Sequence, residues 1–345
     1  MDALAQSLAR TPELFPHALE VPSDSIAFIR LGKAEYRSAS FLDDRILSPQ
    51  TLRRVLPWSD VGRAVADAGL EESCHFIFHI GHVGSTLLSR LLGEQPGVLA
   101  LREPAILRTL AQIRAEPALE RRVWGSDGFE RRLSALLKLW SRTFDPGDRA
   151  VVKATSFVSE LAGELLARPS GPNAILMYVS PESYLATILG GANAPQEARM
   201  LAPDRQTRLQ RRLGVDIAAP GIGEMVAMSW ACEMTALLEA RAVAGERALL
   251  LDFDSFLARP ADLLAQAVLH LGIPASAQNI RNAIDGPEMR RYSKAPEYAY
   301  DAALRRDVLD QARATSGPEI RRGLSWLDTL ARTNAQVAQA LHVTR

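Results

Sequence analysis

Gly81-His82-Val83-Gly84-Ser85-Thr86 stands between a short β-branched and aromatic run, His75 to Ile80, and a segment with helical patterning that opens at Ser85. Such a junction can do anion chemistry. Successive backbone N–H groups, backed by a helix dipole, form a concave donor surface. Gly81 and Gly84 let the chain turn tightly and approach a ligand, and the Ser85 and Thr86 hydroxyls add donors. The triphosphate-binding pattern G-x-x-x-x-G-K-[ST] is not satisfied, because its first glycine falls on His79 and its lysine on Ser85. The plain alternative is an ordinary strand-to-helix turn with Ser85 as its cap.

Charged groups follow the ends of other short apolar runs. Glu103 closes GVLAL-Arg102, and Lys153 closes AVVK. A carboxylate so placed can take a proton from an attacking group, and an ammonium can hold the charge of a leaving group. A protonated His82 can do the same as Lys153. The alternatives are a Glu103–Arg102 ion pair, a solvated strand-end lysine and a loop histidine without a role. His75 and His79 alternate with apolar residues and read as core histidines. No His, Cys or carboxylate grouping has metal spacing, so no metal is expected.

Composition narrows the field. The 345 residues carry 40 Lys and Arg against 40 Asp and Glu, so the formal charge is zero. That balance disfavours a nonspecific nucleic-acid or anionic-membrane binder, which needs a field of one sign. The two cysteines, Cys74 and Cys232, exclude a disulfide scaffold. No apolar run reaches membrane-spanning length and the N-terminus lacks a signal pattern, so a soluble, cytoplasmic protein is expected.

The elements that must position these groups are short strands alternating with helices: HFIFHI, GVLAL, AVVK, ILMYV and ALLLDF. This pattern predicts an α/β fold, a P-loop-type three-layer sandwich whose central parallel sheet is flanked by many helices. Ligands in such sheets sit at the carboxyl ends of the strands. The organisation expected is an N-terminal extension (1–73) packing on the core, a P-loop domain (74–330) with an insertion or cap (191–223), and a C-terminal helical tail (331–345). In the extension, Ser25 to Leu31 reads as extended and Ser48 to Leu56 as a short helix. Arg205, Arg208, Arg211 and Arg212 in the insertion read as a solvated helix face, and Trp230, Phe253 and Leu257 as core.

Several segments carry a family resemblance. HIGHVGSTLLSRLLGEQPGVLALREP resembles the 5′-phosphosulfate loop of sulfotransferases that use 3′-phosphoadenosine 5′-phosphosulfate, above all the tyrosylprotein and bacterial members. AVVKATSF resembles their second strand lysine segment, MYVSPESYLAT the 3′-phosphate segment, LLLDFDSFLARPADLL the Y-E-D-L-x-x-x-P segment, and RRYSKAP the late cofactor-closing loop. The likeness runs from about Cys74 to Pro296. It implies sulfonate transfer to a hydroxyl or amine of a small-molecule, glycan or peptide acceptor. It also implies Glu103 as base, Lys153 and His82 as electrostatic catalysts, and donor contacts from Gly81, His82, Val83, Gly84, Ser85, Thr86, Thr187, Arg291, Ser293 and Lys294. Thr187 can instead bond its own helix, and Ser293 and Lys294 can be plain loop polarity. Two departures stand out: the basic residue usual two places before the loop glycine is His82, and the family's 3′-phosphate arginine falls on Val179. Arg290, Arg291, Lys294 or an arginine of the insertion are the substitutes. Two further readings are a divergent kinase or nucleoside triphosphatase using Asp252 or Asp254 for magnesium, and an inactive nucleotide-binding module.

Overall fold

The computed structural model describes residues 3–344; residues 1, 2 and 345, at the ends of the N-terminal stretch and the tail, lie outside the described residues. Five short strands form one parallel sheet: β4 (His75–His79), β5 (Val98–Arg102), β6 (Arg149–Lys153), β7 (Ala174–Tyr178) and β8 (Ala248–Asp252), in the order β5-β6-β4-β7-β8. In β4, β6 and β7 consecutive residues are buried, not alternate ones. Such strands need cover on both faces, which explains their Val, Ile and Phe runs. The helices Ser85–Gly93 and Ile222–Ala244 both contact β4. The α/β sandwich expected from the alternation of strands and helices is the architecture found.

The order of strands places the site. After β4 the chain crosses over β6 to reach β5, and after β6 it crosses over β4 to reach β7. The two connections leave neighbouring strands in opposite directions, and a crevice opens at their carboxyl ends.

The N-terminal stretch has a sheet of its own. β1 (Leu14–Glu20), β2 (Ser25–Arg30) and β3 (Arg53–Pro57) pair antiparallel, and Ile26, Phe28 and Ile29 of β2 belong to the same apolar core as the parallel sheet. The helix expected from Ser48 to Leu56 is absent, since Arg53 to Pro57 pairs with β2 instead. Val55 is β-branched, and cross-strand pairing outweighs a weak local helical preference.

The insertion forms the helix Ala194–Leu213, packed on Ile222–Ala244. Its arginines correct the expected solvated face. Arg208 is buried and donates to Glu233 at 3.2 Å and to the Ser159 hydroxyl at 3.1 Å. Arg205 donates to the Ser229 hydroxyl at 3.0 Å, and Arg212 to the Cys232 carbonyl at 2.8 Å and to Glu239 at 3.0 Å. Only Arg211 faces solvent. Glu233, fully buried on the facing helix, draws Arg205 and Arg208 inward, because a carboxylate without a cation there would be very costly.

Candidate active site

The loop after β4 opens the site. Gly81, His82 and Gly84 all have left-handed backbone, with φ of 89°, 55° and 67°. The buried His79 accepts the Gly81 N–H on Nδ1 at 3.0 Å, which takes that amide out of play and fixes the first turn. From His82 to Leu87, by contrast, no backbone N–H meets an acceptor among the described residues, and no side chain caps the helix Ser85–Gly93. Thr86 Oγ1 is buried and also lacks a partner. Unsatisfied donors gathered at a helix N-terminus fit an oxyanion. Gly84 is required for a second reason: a Cβ there would lie 2.0 Å from the Phe253 ring.

The second part of the site lies where β5 and β6 end. Glu103 follows β5 with φ of 53°, and its N–H donates to the Lys153 carbonyl at 2.7 Å. The Lys153 ammonium, fully buried, pairs with the Glu103 carboxylate. Burial pushes the Lys153 pKa down to about 8, against the opposing pull of Glu103. The expected alternatives fall away. Lys153 is not in solvent, and Arg102 does not pair with Glu103. Arg102 ends the strand and Glu103 turns out of it with left-handed backbone, and the two side chains go to different partners. The Arg102 guanidinium runs under the N-terminal stretch, donating to the carbonyls of Ala39 at 2.6 Å, Arg37 at 2.9 Å and Tyr36.

The protonated form considered for His82 is disfavoured in this structure. Burial, with the nearby cations Lys294 and Arg205, pushes its pKa down to about 4, so the ring is neutral at pH 7. Its Nε2 lies 3.9 Å from Glu197. His79 is likewise held neutral, pushed well below its ordinary value by burial, Lys153 and Lys294. His79 reaches the site rather than serving only the core, whereas His75 sits at the start of β4 and accepts the Asn173 N–H at 3.0 Å.

Two cavities flank the loop. The first is bounded by His82, Val83, Gly84, Ser85 and Thr86 on one side. Thr187, Arg291, Ser293 and Lys294 come from other elements to its wall. The structure therefore brings together nearly all the donor-contact residues expected from sequence; Gly81 lines the second cavity instead, with Glu103 and, again, His82 and Lys294. Within this set Thr187 donates to the Ser183 carbonyl at 2.7 Å, the local alternative considered above. Arg291 pairs with Glu288. The Ser293 carbonyl accepts from Arg90 at 2.9 Å, so the late loop is tied to the helix Ser85–Gly93.

Val179 is fully buried, and its carbonyl accepts the Trp230 indole N–H at 3.1 Å. That position belongs to the core and offers no cation. A guanidinium reaches the first cavity from elsewhere: Arg305, 5% exposed, holds Asp254 at 2.8 Å and lies 5.0 Å from the Phe253 ring centre. No strand-end pattern pointed to Arg305, which enters from the last long helix, Ala302–Thr333. The carboxylates considered for magnesium are both engaged. Asp252 caps the Ser255 N–H at 2.7 Å and Asp254 holds Arg305. Among the described residues no group of His, Cys and carboxylates has the arrangement of a metal site.

The chain matches no protein-family model and no curated protein. Among solved structures it is similar to the sulfotransferase domain of the curacin biosynthetic pathway, at 14% identity and TM-score 0.42, covering 75% of this chain and 99% of that one. Five of the solved structures it is similar to are sulfotransferases or sulfotransferase domains. A sulfotransferase from Mycobacterium avium is 13% identical with TM-score 0.40, over 90% of this chain and 95% of that one. Retinol dehydratase, in complex with androsterone and inactive cofactor PAP, is 12% identical with TM-score 0.35, over 95% and 94%. Among the described residues no helix is long and apolar enough to cross a membrane.

Proposed function

We propose that this protein transfers a sulfonate group from 3′-phosphoadenosine 5′-phosphosulfate to a hydroxyl or amine. The observation that carries the reading is the run of unpaired amides from His82 to Leu87, set beside the Glu103–Lys153 pair with no loop lysine. A donor whose phosphate and sulfonate oxygens are held by backbone amides has no need of a metal-bridged triphosphate, and the engagement of Asp252 and Asp254 disfavours the kinase alternative.

The chemistry follows from these residues. The amides, with Ser85 and Thr86, hold the 5′-phosphate and sulfonate oxygens of the donor substrate. Glu103, as carboxylate, takes the proton of the acceptor hydroxyl or amine while that atom bonds to sulfur. The bond from sulfur to the bridging oxygen breaks, and its electron pair stays on the 5′-phosphate of adenosine 3′,5′-bisphosphate. Once protonated, Glu103 no longer neutralises Lys153, so the ammonium is released to the developing charge on the leaving oxygen. Proton uptake and leaving-group stabilisation are thereby coupled through one ion pair. Two of the three left-handed non-glycine residues of the described chain, His82 and Glu103, lie here, which accords with strain concentrated at a working site.

The test is calorimetric titration with adenosine 3′,5′-bisphosphate, followed by transfer of labelled sulfonate. Micromolar binding that weakens by about tenfold in Ser85→Ala supports the reading. Absence of binding at millimolar nucleotide overturns it. Binding without transfer to any acceptor supports the inactive-module alternative instead.

A further inference from the structure

The second cavity, about 720 Å³, lies in front of Glu103 and meets the first at His82, Tyr292 and Lys294. Resting on the sulfonate-transfer reading, which puts the donor in the first cavity, this space faces the base and receives the acceptor. Its lining is mainly polar, with Ala39, Phe41 and Ile46 as the apolar members. The N-terminal stretch contributes Glu35 and Ser38, the helix Ala105–Ala115 contributes Arg108, and the insertion helix contributes Glu197. The turn after β6 adds the Thr155 and Ser156 hydroxyls. Among the described residues Arg108 makes no hydrogen bond or ion pair, although its charge acts on the nearby Asp43, and neither hydroxyl makes a side-chain hydrogen bond, so all three can meet a ligand.

The aromatic groups at this wall are already engaged. The Arg45 guanidinium lies 3.3 Å from the centre of the Phe41 ring while also holding Asp43, and Tyr292 meets Tyr300 edge-on at 5.5 Å. A flat apolar acceptor would compete with these contacts for ring surface. It would also cover donors and carboxylates without pairing them, at a cost of about 1–3 kcal/mol for each group. A strongly charged acceptor of either sign fares no better, because the wall carries both signs: Glu35, Glu103 and Glu197 stand among Arg45, Arg108 and Lys294, and Glu103 is already paired with Lys153. A neutral molecule with many hydroxyls satisfies both sets of groups at once, donating to carboxylates and accepting from Arg108, Thr155 and Ser156.

We propose that the acceptor is a neutral, hydroxyl-rich molecule of carbohydrate type, bound between the N-terminal stretch and the insertion helix with one hydroxyl at Glu103. The experiment offers the enzyme labelled donor with a panel of methyl glycosides and neutral disaccharides, against p-nitrophenol and steroid alcohols. Transfer to a saccharide is expected. In Arg108→Ala and Glu197→Gln its KM should rise about tenfold, as for a lost polar contact in a site built to bind hydroxyls. Adenosine 3′,5′-bisphosphate affinity should not change in either variant. If the nucleotide binds and no saccharide in the panel is sulfonated, or the phenol or steroid is preferred, the acceptor inference falls and the donor reading stands. If the nucleotide does not bind, both fall.

Discussion

Lys153 and Glu103 meet because of strand register. Arg102 on β5 lies opposite Lys153 on β6, so Glu103 is the first residue past the paired strands, and its left-handed backbone accompanies an ion pair with the neighbouring strand's last side chain. The lysine is fully buried and the carboxylate is 11% exposed, so each is the other's main source of charge compensation. Glu103→Gln should therefore cut transfer by about 10³-fold, as expected for a lost general base. It should also destabilise the fold by about 3 kcal/mol by leaving a buried ammonium unpaired. Lys153→Met added to Glu103→Gln should restore most of that stability in urea denaturation without restoring transfer. A stable single variant would show that the pair is not as isolated from water as its burial indicates.

Lys153 also sets a pH dependence. Its pKa is pushed from the ordinary 10.5 to about 8 by burial, so the folded protein releases this proton earlier than the unfolded chain. Between those values the unfolded state binds more protons, and this group's contribution to stability improves as pH rises. Catalysis moves the opposite way, because the neutral amine cannot stabilise the leaving group. The rate constant kcat/KM should fall as pH rises through about 8 while thermal stability does not fall through this group. A flat rate profile to pH 10 would contradict the role given to Lys153.

Gly84→Ala tests the loop. The added methyl would lie 2.0 Å from the Phe253 ring, at φ of 67°. The ring or the loop must move, and a loss of nucleotide affinity of about 100-fold is expected by calorimetry, with a stability cost of about 1–3 kcal/mol. Phe253→Leu in the same chain makes room but leaves the backbone strain, so it should recover only part of the loss.

His79 separates two tasks of one imidazole. Its Nδ1 accepts the Gly81 N–H at 3.0 Å. Asn places an acceptor near the Nδ1 position and Gln nearer Nε2. His79→Asn should keep nucleotide affinity within about threefold, and His79→Gln should lose about tenfold, the value of one hydrogen bond that orders the loop. Equal losses in both variants, at equal thermal stability, would show that the contact does not order the amides.

Arg208→Met leaves Glu233 and Ser159 with weaker compensation in the interior. A cost of about 3 kcal/mol is expected in urea denaturation. Nucleotide affinity should stay unchanged, since this network fastens the insertion helix and does not line the first cavity.

Local pattern was enough to establish the elements and their order. The β-branched runs, the glycines at 81 and 84, and the Ser180-Pro181 start of a helix each carry their conformation in short-range sterics and hydrogen bonding, so β4 to β8 and the loop were legible before any coordinates. The strand-end rule likewise pointed to Glu103 and Lys153. Which charge met which was decided by tertiary structure. Arg102 and Glu103 are neighbours in sequence but point apart, and only the packing of the N-terminal stretch, with its carbonyls at Tyr36, Arg37 and Ala39, determines that the arginine turns to backbone and the glutamate to Lys153. The same holds for Arg208, drawn inward by Glu233 on another helix, for Val179, buried beneath Trp230, and for β3, a strand because β2 lies beside it. Burial and ion pairing depend on groups remote in the chain, and a local sequence pattern does not record the distance between them.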